Sequence, residues 1–276
     1  PINHYRIHLW NYKDDAKALS SAALVGPSAP GIAHMWHMGG HTYSALKRYA
    51  DAAWQQEASA RVDHAYMIRD RVMPDQIQNY AHNNQWLVED LDYIGRVRDA
   101  EELAKNMIEL PRHPAYNNDD KGSWINGRKR LLQVLMDYEL WPDLIKLSST
   151  LYFEPGDKPS LQAVRIHALG VAEYSLGNKA QGDARLADLQ QMSRQTTAAA
   201  IKGQIRGDIA ELEAYRALAE GKAAAARKGF DAVKGLSKLR HARLCLQMGD
   251  TARAVSLAKE SVANHEKQVA PLAYLV

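Results

Sequence analysis

A single cysteine, Cys245, is all the thiol this chain carries. No intrachain disulfide and no cysteine-based metal cluster can form, and the redox compartment stays open. Its setting, Arg-Leu-Cys-Leu-Gln in an apolar helical stretch, is that of a buried, inert thiol. Phenylalanine is scarce too, 2 residues against 13 Tyr and 6 Trp, so most rings carry a polar edge that wants water or a hydrogen-bond partner. Neither charge sign dominates: a net charge of +3 and a pI near 8.8 are too mild to indicate nucleic acid or a membrane surface as partner. No apolar run approaches the ~20 residues of a membrane span. Runs of alternating β-branched residues joined by hairpin turns are missing, which excludes a β-rich fold. Missing as well are a nucleophile elbow, a phosphate-binding glycine loop, a dinucleotide fingerprint and an acidic pair at a defined spacing. These absences point to a binding module rather than an enzyme.

What is present is helix-forming sequence, and its most informative stretch runs from Ile32 to Asp63. It reads as a helical hairpin with its turn at Lys47-Arg48. Trp36, Gly40 and Tyr43 lie in the first helix, and Ala52 supplies a small residue in the second. Taking the turn as origin, a small residue stands seven before it and another five after. The same register returns around Gly95 (Val88, Ala100), Gly177 (Gly170, Gly182), Gly221 (Ala214, Ala226, with Phe230 four further on) and Gly249 (Ala242, Ala254). Such recurrence is the trace of helices packing closely at fixed points, where a bulky side chain would hold the pair apart. Weaker hairpins are expected around Asn11, where His4 falls on the small position, and between Trp124 and Tyr152. There Leu131, Leu132, Leu135 and Met136 form an apolar stripe and the turn lies at Glu139-Leu140-Trp141-Pro142.

These residues resemble the tetratricopeptide repeat, which opens Trp-x2-Leu-Gly-x2-Tyr; here Gly39 stands for the Leu and Gln56 for a later aromatic. The resemblance extends over most of the chain and implies an all-α fold, an α-α superhelix of about seven hairpins. Turns at 11, 47, 95, 139, 177, 221 and 249 are separated by 36, 48, 44, 38, 44 and 28 residues, so the repeats diverge from the ~34-residue period of the family. Longer connections fall at Pro111–Ser123 and Glu154–Pro159. Residues 1–158, rich in His, Trp and Asn, are expected to be the functional part; residues 159–276, Ala-rich and continuous with it, are the scaffold. Pro1–Tyr5 enters a helix at once and Pro271–Val276 reads as a helix cut short, the ends expected of a piece of a longer protein. The stretch Ala33–Pro111 is also similar to helical arrays joined to redoxin-like domains in some bacterial proteins. With no Cys-x-x-Cys here, any such activity would lie outside this chain.

In the family, first helices line a concave groove that holds peptides, at positions thirteen, ten, six and three before each turn. Carried over, these are His34, His37, His41 and Ser44; His82, Gln85, Glu89 and Asp92; Tyr5 and His8; and His167. The implied partner is a protein or peptide, with no cofactor, no nucleic acid and no membrane insertion. The segment Asn79–Leu87 adds Tyr80 and Asn83, because three Asn in a helix suggest selected contacts, or a tether to the Met73-Pro74-Asp75 loop. The Gly127–Arg130 basic cluster, without interleaved aromatics, reads as a solvated helix face.

The competing reading is a site for zinc or another divalent metal, with hydrolytic chemistry as its extension, built on His34, His37, His41 and His82. His37-x3-His41 puts two imidazoles one turn apart on one face, and His37, His41 and His82 are the candidate ligands. Glu57, His64 or Glu89 are further donors within the same reading. Against it, Met38 stands where the His-Glu-x-x-His motif has its glutamate. His34 and His41 are also separated by about 10 Å along the helix axis. His34 and His82, at equivalent positions of adjacent helices, are expected to share a ligand. A third reading is a structural spacer in a multidomain protein.

Overall fold

A computed structural model of the chain describes residues 1–116, 118–156, 158–265 and 267–273, and among these the regular structure is helical. Helix α1 (Ile2–Trp10) is followed by a 3₁₀ turn at Asp15–Ala18 and by α2 (Leu19–Val25), α3 (Ala33–Ala45) and α4 (Tyr49–Asp70). A second 3₁₀ turn, Pro74–Gln76, leads to α5 (Gln78–Tyr93), α6 (Val97–Glu109) and α7 (Ser123–Asp137). Then come α8 (Trp141–Leu147), α9 (Pro159–Ser175), α10 (Lys179–Gln195), α11 (Ala199–Ala219), α12 (Ala223–Ala232), α13 (Lys238–Gln247), α14 (Thr251–Asn264) and α15 (Val269–Ala273). No strand occurs among the described residues, and each helix packs chiefly on its neighbours in the chain. The last three residues of the expected C-terminal helix, and Asn117 and Asp157 of the two long connections, lie outside the described residues.

Contacts divide the chain into two compact units, one built on Pro1–Val134 and one on Leu135–His265. The division falls inside α7, and the expected boundary at 158/159 lies within the second unit.

The turn register has a backbone cause. Lys47, Gly95, Glu139, Gly177, Gly221 and Gly249 all have positive φ, between 52° and 80°. Beside each, an amide reaches back five residues to a carbonyl: Arg48 to Tyr43, Arg96 to Leu91, Leu140 to Leu135, Asn178 to Glu173, Lys222 to Ala217 and Asp250 to Cys245, all at 2.8–2.9 Å. This is the Schellman closure of a helix end, which satisfies carbonyls the helix leaves orphaned and favours glycine at the left-handed position. The turn at Glu139, which departs from the repeat pattern in sequence, closes in the same way. The first turn differs, with Tyr12 rather than Asn11 as its left-handed residue (φ 63°).

The expected small positions are the buried contact points. Gly40, Ala52, Val88, Ala100, Gly170, Gly182, Ala214, Ala226, Ala242 and Ala254 are all buried. A Cβ on Gly182 would meet the Tyr174 ring at 2.7 Å, and one on Gly170 would meet Leu212 at 2.6 Å. In the first unit, Ile7, Ala18, Ala22, Val25, Met38, Tyr43 and Ala52 form one apolar cluster with Trp10, Leu19 and Met35 against it. A Cβ on Gly39 would lie 2.9 Å from the Ala22 carbonyl oxygen, so α2 crosses α3 backbone to backbone. That cluster fixes α1 beside α3.

In the second unit Tyr174, Tyr215 and Phe230 continue as a row of rings, Tyr215 and Phe230 meeting edge to face at 5.0 Å. Cys245 is buried, and burial pushes its thiol up from the ordinary value.

Candidate metal centre

Helix α3 carries His34, His37 and His41 along one side, because steps of three and four residues return to the same face of a 3.6-residue helix. Helix α1, packed beside it, brings His4 and His8, which are also four apart. From the other direction α5 brings His82. The six imidazoles fall into two triads, His4/His8/His34 and His37/His41/His82, each with one ligand nitrogen per residue and all three within 4.8 Å of one another. They adjoin: the His34 and His37 ring centroids are 6.1 Å apart. A cleft of about 410 Å³ is lined by five of the six, together with Asn11, Met38 and Asn79, and no carboxylate lines it.

In the inner triad the rings crowd edge to face, His37 against His41 at 4.2 Å and His37 against His82 at 4.7 Å, with Trp86 on His41 at 4.6 Å. His37 is 1% exposed. Burial pulls its imidazole down to about 2, helped by the neighbouring His41, and pulls His41 down to about 4 with help from His82. His82 is lowered by burial and by His34. Imidazoles held neutral keep a bare ring nitrogen, the form that ligates a cation.

Gln56 decides which nitrogen is bare on His37. Its Oε1 lies 2.7 Å from Nδ1, and a carbonyl oxygen only accepts, so Nδ1 carries the proton and Nε2 the lone pair. Gln56 reaches this place because Gly40 leaves room: a Cβ on Gly40 would stand 2.3 Å from Gln56 Nε2 and 2.8 Å from Cδ. The Gln85 Nε2–H donates to Nδ1 of His82 at 2.9 Å, which places that ring's proton on Nε2, so His82 ligates a cation only when the Gln85 amide turns over or moves off.

The outer triad is more open, with His8 exposed. Nε2 of His4 lies 3.1 Å from Nε2 of His8 and also 3.1 Å from Nε2 of His34. One ring nitrogen has a single in-plane site, a proton or a lone pair, so it serves one such neighbour at a time as a hydrogen bond. Two of the three nitrogen pairs are thus close to the spacing of ligands on a shared ion, since Zn–N bonds of 2.0–2.1 Å in a tetrahedron put nitrogens about 3.3 Å apart, and the third pair lies within 4.8 Å. Burial is the first cause lowering His4 and His34, and His8 adds to both.

The other expected groove residues are committed elsewhere. Ser44 Oγ donates to Asp90 at 3.2 Å, and Asp92 accepts from Gln133 at 3.2 Å. Glu89 is clamped by both terminal nitrogens of Arg130 at 2.8 Å and accepts from the Tyr93 hydroxyl. The basic cluster is therefore not a bare solvated face: Arg130 closes this pair, and Arg128 lies over the Trp124 ring at 4.8 Å.

Asn83 does not face the cleft. It is buried and donates to Asp63 at 2.7 Å, with Asn79 reaching the same carboxylate at 3.3 Å. Asn84 bonds the Tyr80 carbonyl of its own helix, so neither Asn83 nor Asn84 makes the tether to the 73–75 loop. Tyr80 is buried beside a separate cleft with Glu57 and His64. Tyr5 is exposed, its ring 5.7 Å from His4. His167 belongs to the second unit, 3.1 Å from Glu211, which also meets Arg240.

Two corrections concern the histidines. His34 and His82 line the same cleft, as expected, but fall in different triads and not on one ion. His4, read from sequence as an ill-fitting small position, is a member of the outer triad, and its signal was the His4-x3-His8 spacing, the same as His37-x3-His41. Gln56 had no sequence signal beyond the missing aromatic. Comparison with protein-family models, with curated proteins and with solved structures finds no match for this chain.

Proposed function

We propose that this protein binds a divalent transition-metal ion through His37, His41 and His82, on a scaffold of tetratricopeptide-like hairpins. The observation that carries the reading is the convergence of three imidazole nitrogens within 4.8 Å, in a pocket that keeps the rings neutral and with one ring oriented by Gln56. Three neutral nitrogen donors suit zinc, copper, nickel or cobalt, and do not suit calcium or magnesium, which take oxygen. Three protein ligands would leave a bound ion a further position for water or another ligand. Among the described residues no carboxylate lines the cleft to act as general base, which supports holding metal over hydrolysis.

A peptide-binding role for the same face has less support. Its polar residues Ser44, Glu89 and Asp92 are already paired within the fold. For the scaffold, the six Schellman-closed turns and the buried small pairs support the resemblance to a tetratricopeptide solenoid.

The test is a zinc titration of untagged, chelator-stripped protein, followed by calorimetry and by melting. Zinc held at 100 times its Kd is expected to stabilise the fold by about 2.7 kcal/mol, reversibly on adding chelator. His37→Ala with His82→Ala should bind one equivalent of zinc fewer than the parent and lose the stabilisation that equivalent brings. Unchanged stoichiometry and unchanged stabilisation in this double variant would overturn the proposal.

A further inference from the structure

The outer triad has no part in holding an ion at His37, yet its nitrogens converge as well. His4 Nε2 faces two other Nε2 atoms at 3.1 Å, one from its own helix and one from α3, thirty residues away in sequence. Hydrogen bonding accounts for one of those two contacts. The other places two ring nitrogens close together with nothing between them to favour it, unless a cation draws all three lone pairs inward.

We propose that His4, His8 and His34 form a second divalent-metal site, and that metal enters the protein there before passing to the inner triad. The entry role rests on the reading of the inner triad as a metal site; the second site itself does not. His8 and His34 of the outer triad line one cleft with all three of the inner, and His34 and His37 are adjacent on α3 with ring centroids 6.1 Å apart. The outer site is also the accessible one: His8 is exposed, whereas His37 is buried. An ion arriving from solvent therefore meets imidazoles in order of increasing burial. Among the described residues no carboxylate joins the two triads to bridge two ions, so the pair is suited to exchange between sites rather than to a bridged dinuclear centre. The ligand class is the same as for the inner site, a borderline divalent ion with affinity for imidazole.

The experiment uses Co²⁺ as a spectroscopic probe, because its tetrahedral nitrogen complexes absorb in the visible, with Zn²⁺ competition as a check on the same chain. The parent is expected to take up two equivalents. His4→Ala with His8→Ala should take up one and fill the inner site several-fold more slowly in stopped flow. His37→Ala with His82→Ala should also retain one, bound at the outer site. Melting of each metal-free variant controls for folding; His8→Ala alone, at an exposed position, is the fallback if the double change unfolds.

A parent that binds one equivalent, untouched by the His4/His8 changes, overturns the second site and leaves the inner one standing. One equivalent lost with His4/His8 and kept with His37/His82 does the reverse. Two equivalents with unchanged loading rate overturn the entry role alone, and no uptake in the parent overturns both sites.

Discussion

At the scale of single residues, the site depends on a missing side chain. Gly40 has no Cβ, so Gln56 can lie across α3 and accept the hydrogen bond from Nδ1–H of His37. Gly40→Ala is expected to push Gln56 aside, cost roughly 1–3 kcal/mol of stability by overpacking, and weaken zinc binding about 10–100-fold through loss of ring orientation. A denaturant midpoint and a zinc titration on the same variant check both. Gly31→Ala, with nothing within 4 Å of its added carbon, is the control and should change neither.

Asp90 offers a second test. Burial raises its carboxyl to about 8, against the pull of the Ser44 hydroxyl. The folded value lies above the unfolded value near 3.9, so the folded chain holds a proton that the unfolded chain has lost. The contribution is full below about pH 4 and is lost as pH rises towards 8, at up to about 1.4 kcal/mol per pH unit. Asp90→Asn should remove that slope, and its stability advantage over the parent should grow between pH 5 and pH 8 in urea melts. An advantage that stayed constant with pH would mean Asp90 is ionised in the fold.

Among the elements, the helix ends carry the regularity. Gly177 sits at φ 80° with nothing within 4 Å of an added Cβ, so Gly177→Ala should cost only the left-handed strain of an L residue, about 1–2 kcal/mol. Arg71 ends α4 at φ 54° in the same closure, its successor Val72 bonding the Met67 carbonyl. Arg71→Gly should relieve that strain and gain roughly 0.5–1 kcal/mol, the greater freedom of glycine in the unfolded chain offsetting part of it. Thermal melts of the two variants should shift in opposite directions. Equal shifts would mean that contacts of the side chains, not φ, decide these turns.

For the molecule as a whole, the proposed metal chemistry belongs to one of two units. All six triad histidines lie in Pro1–Val134. Zinc should therefore slow amide hydrogen exchange in α1, α3 and α5 while leaving α9 to α14 as they are, since a ligand stabilises what it binds. Mass spectrometry of peptides from exchange with and without zinc reads this directly. Protection spread equally over both units would place the ion elsewhere.

Helices, their ends and their contact points were legible in the sequence because each depends on residues close together in the chain. A left-handed residue closes its helix within five residues, a small residue marks a close approach, and His37-x3-His41 shares a face by the helix period alone. The same locality made His4-x3-His8 readable in principle. Which histidines meet at one point was a different kind of fact. It required α2 to cross α3 at Gly39 and seat α1 alongside, and α5 to dock on the other flank with His82 facing His37. The pairing of Glu89 with Arg130 and of Asn83 with Asp63 likewise joins residues 41 and 20 apart in the chain. Periodicity says which face a side chain occupies on its own helix; the rotation and height of one helix against the next come from packing, and only the packed structure decides which imidazoles converge.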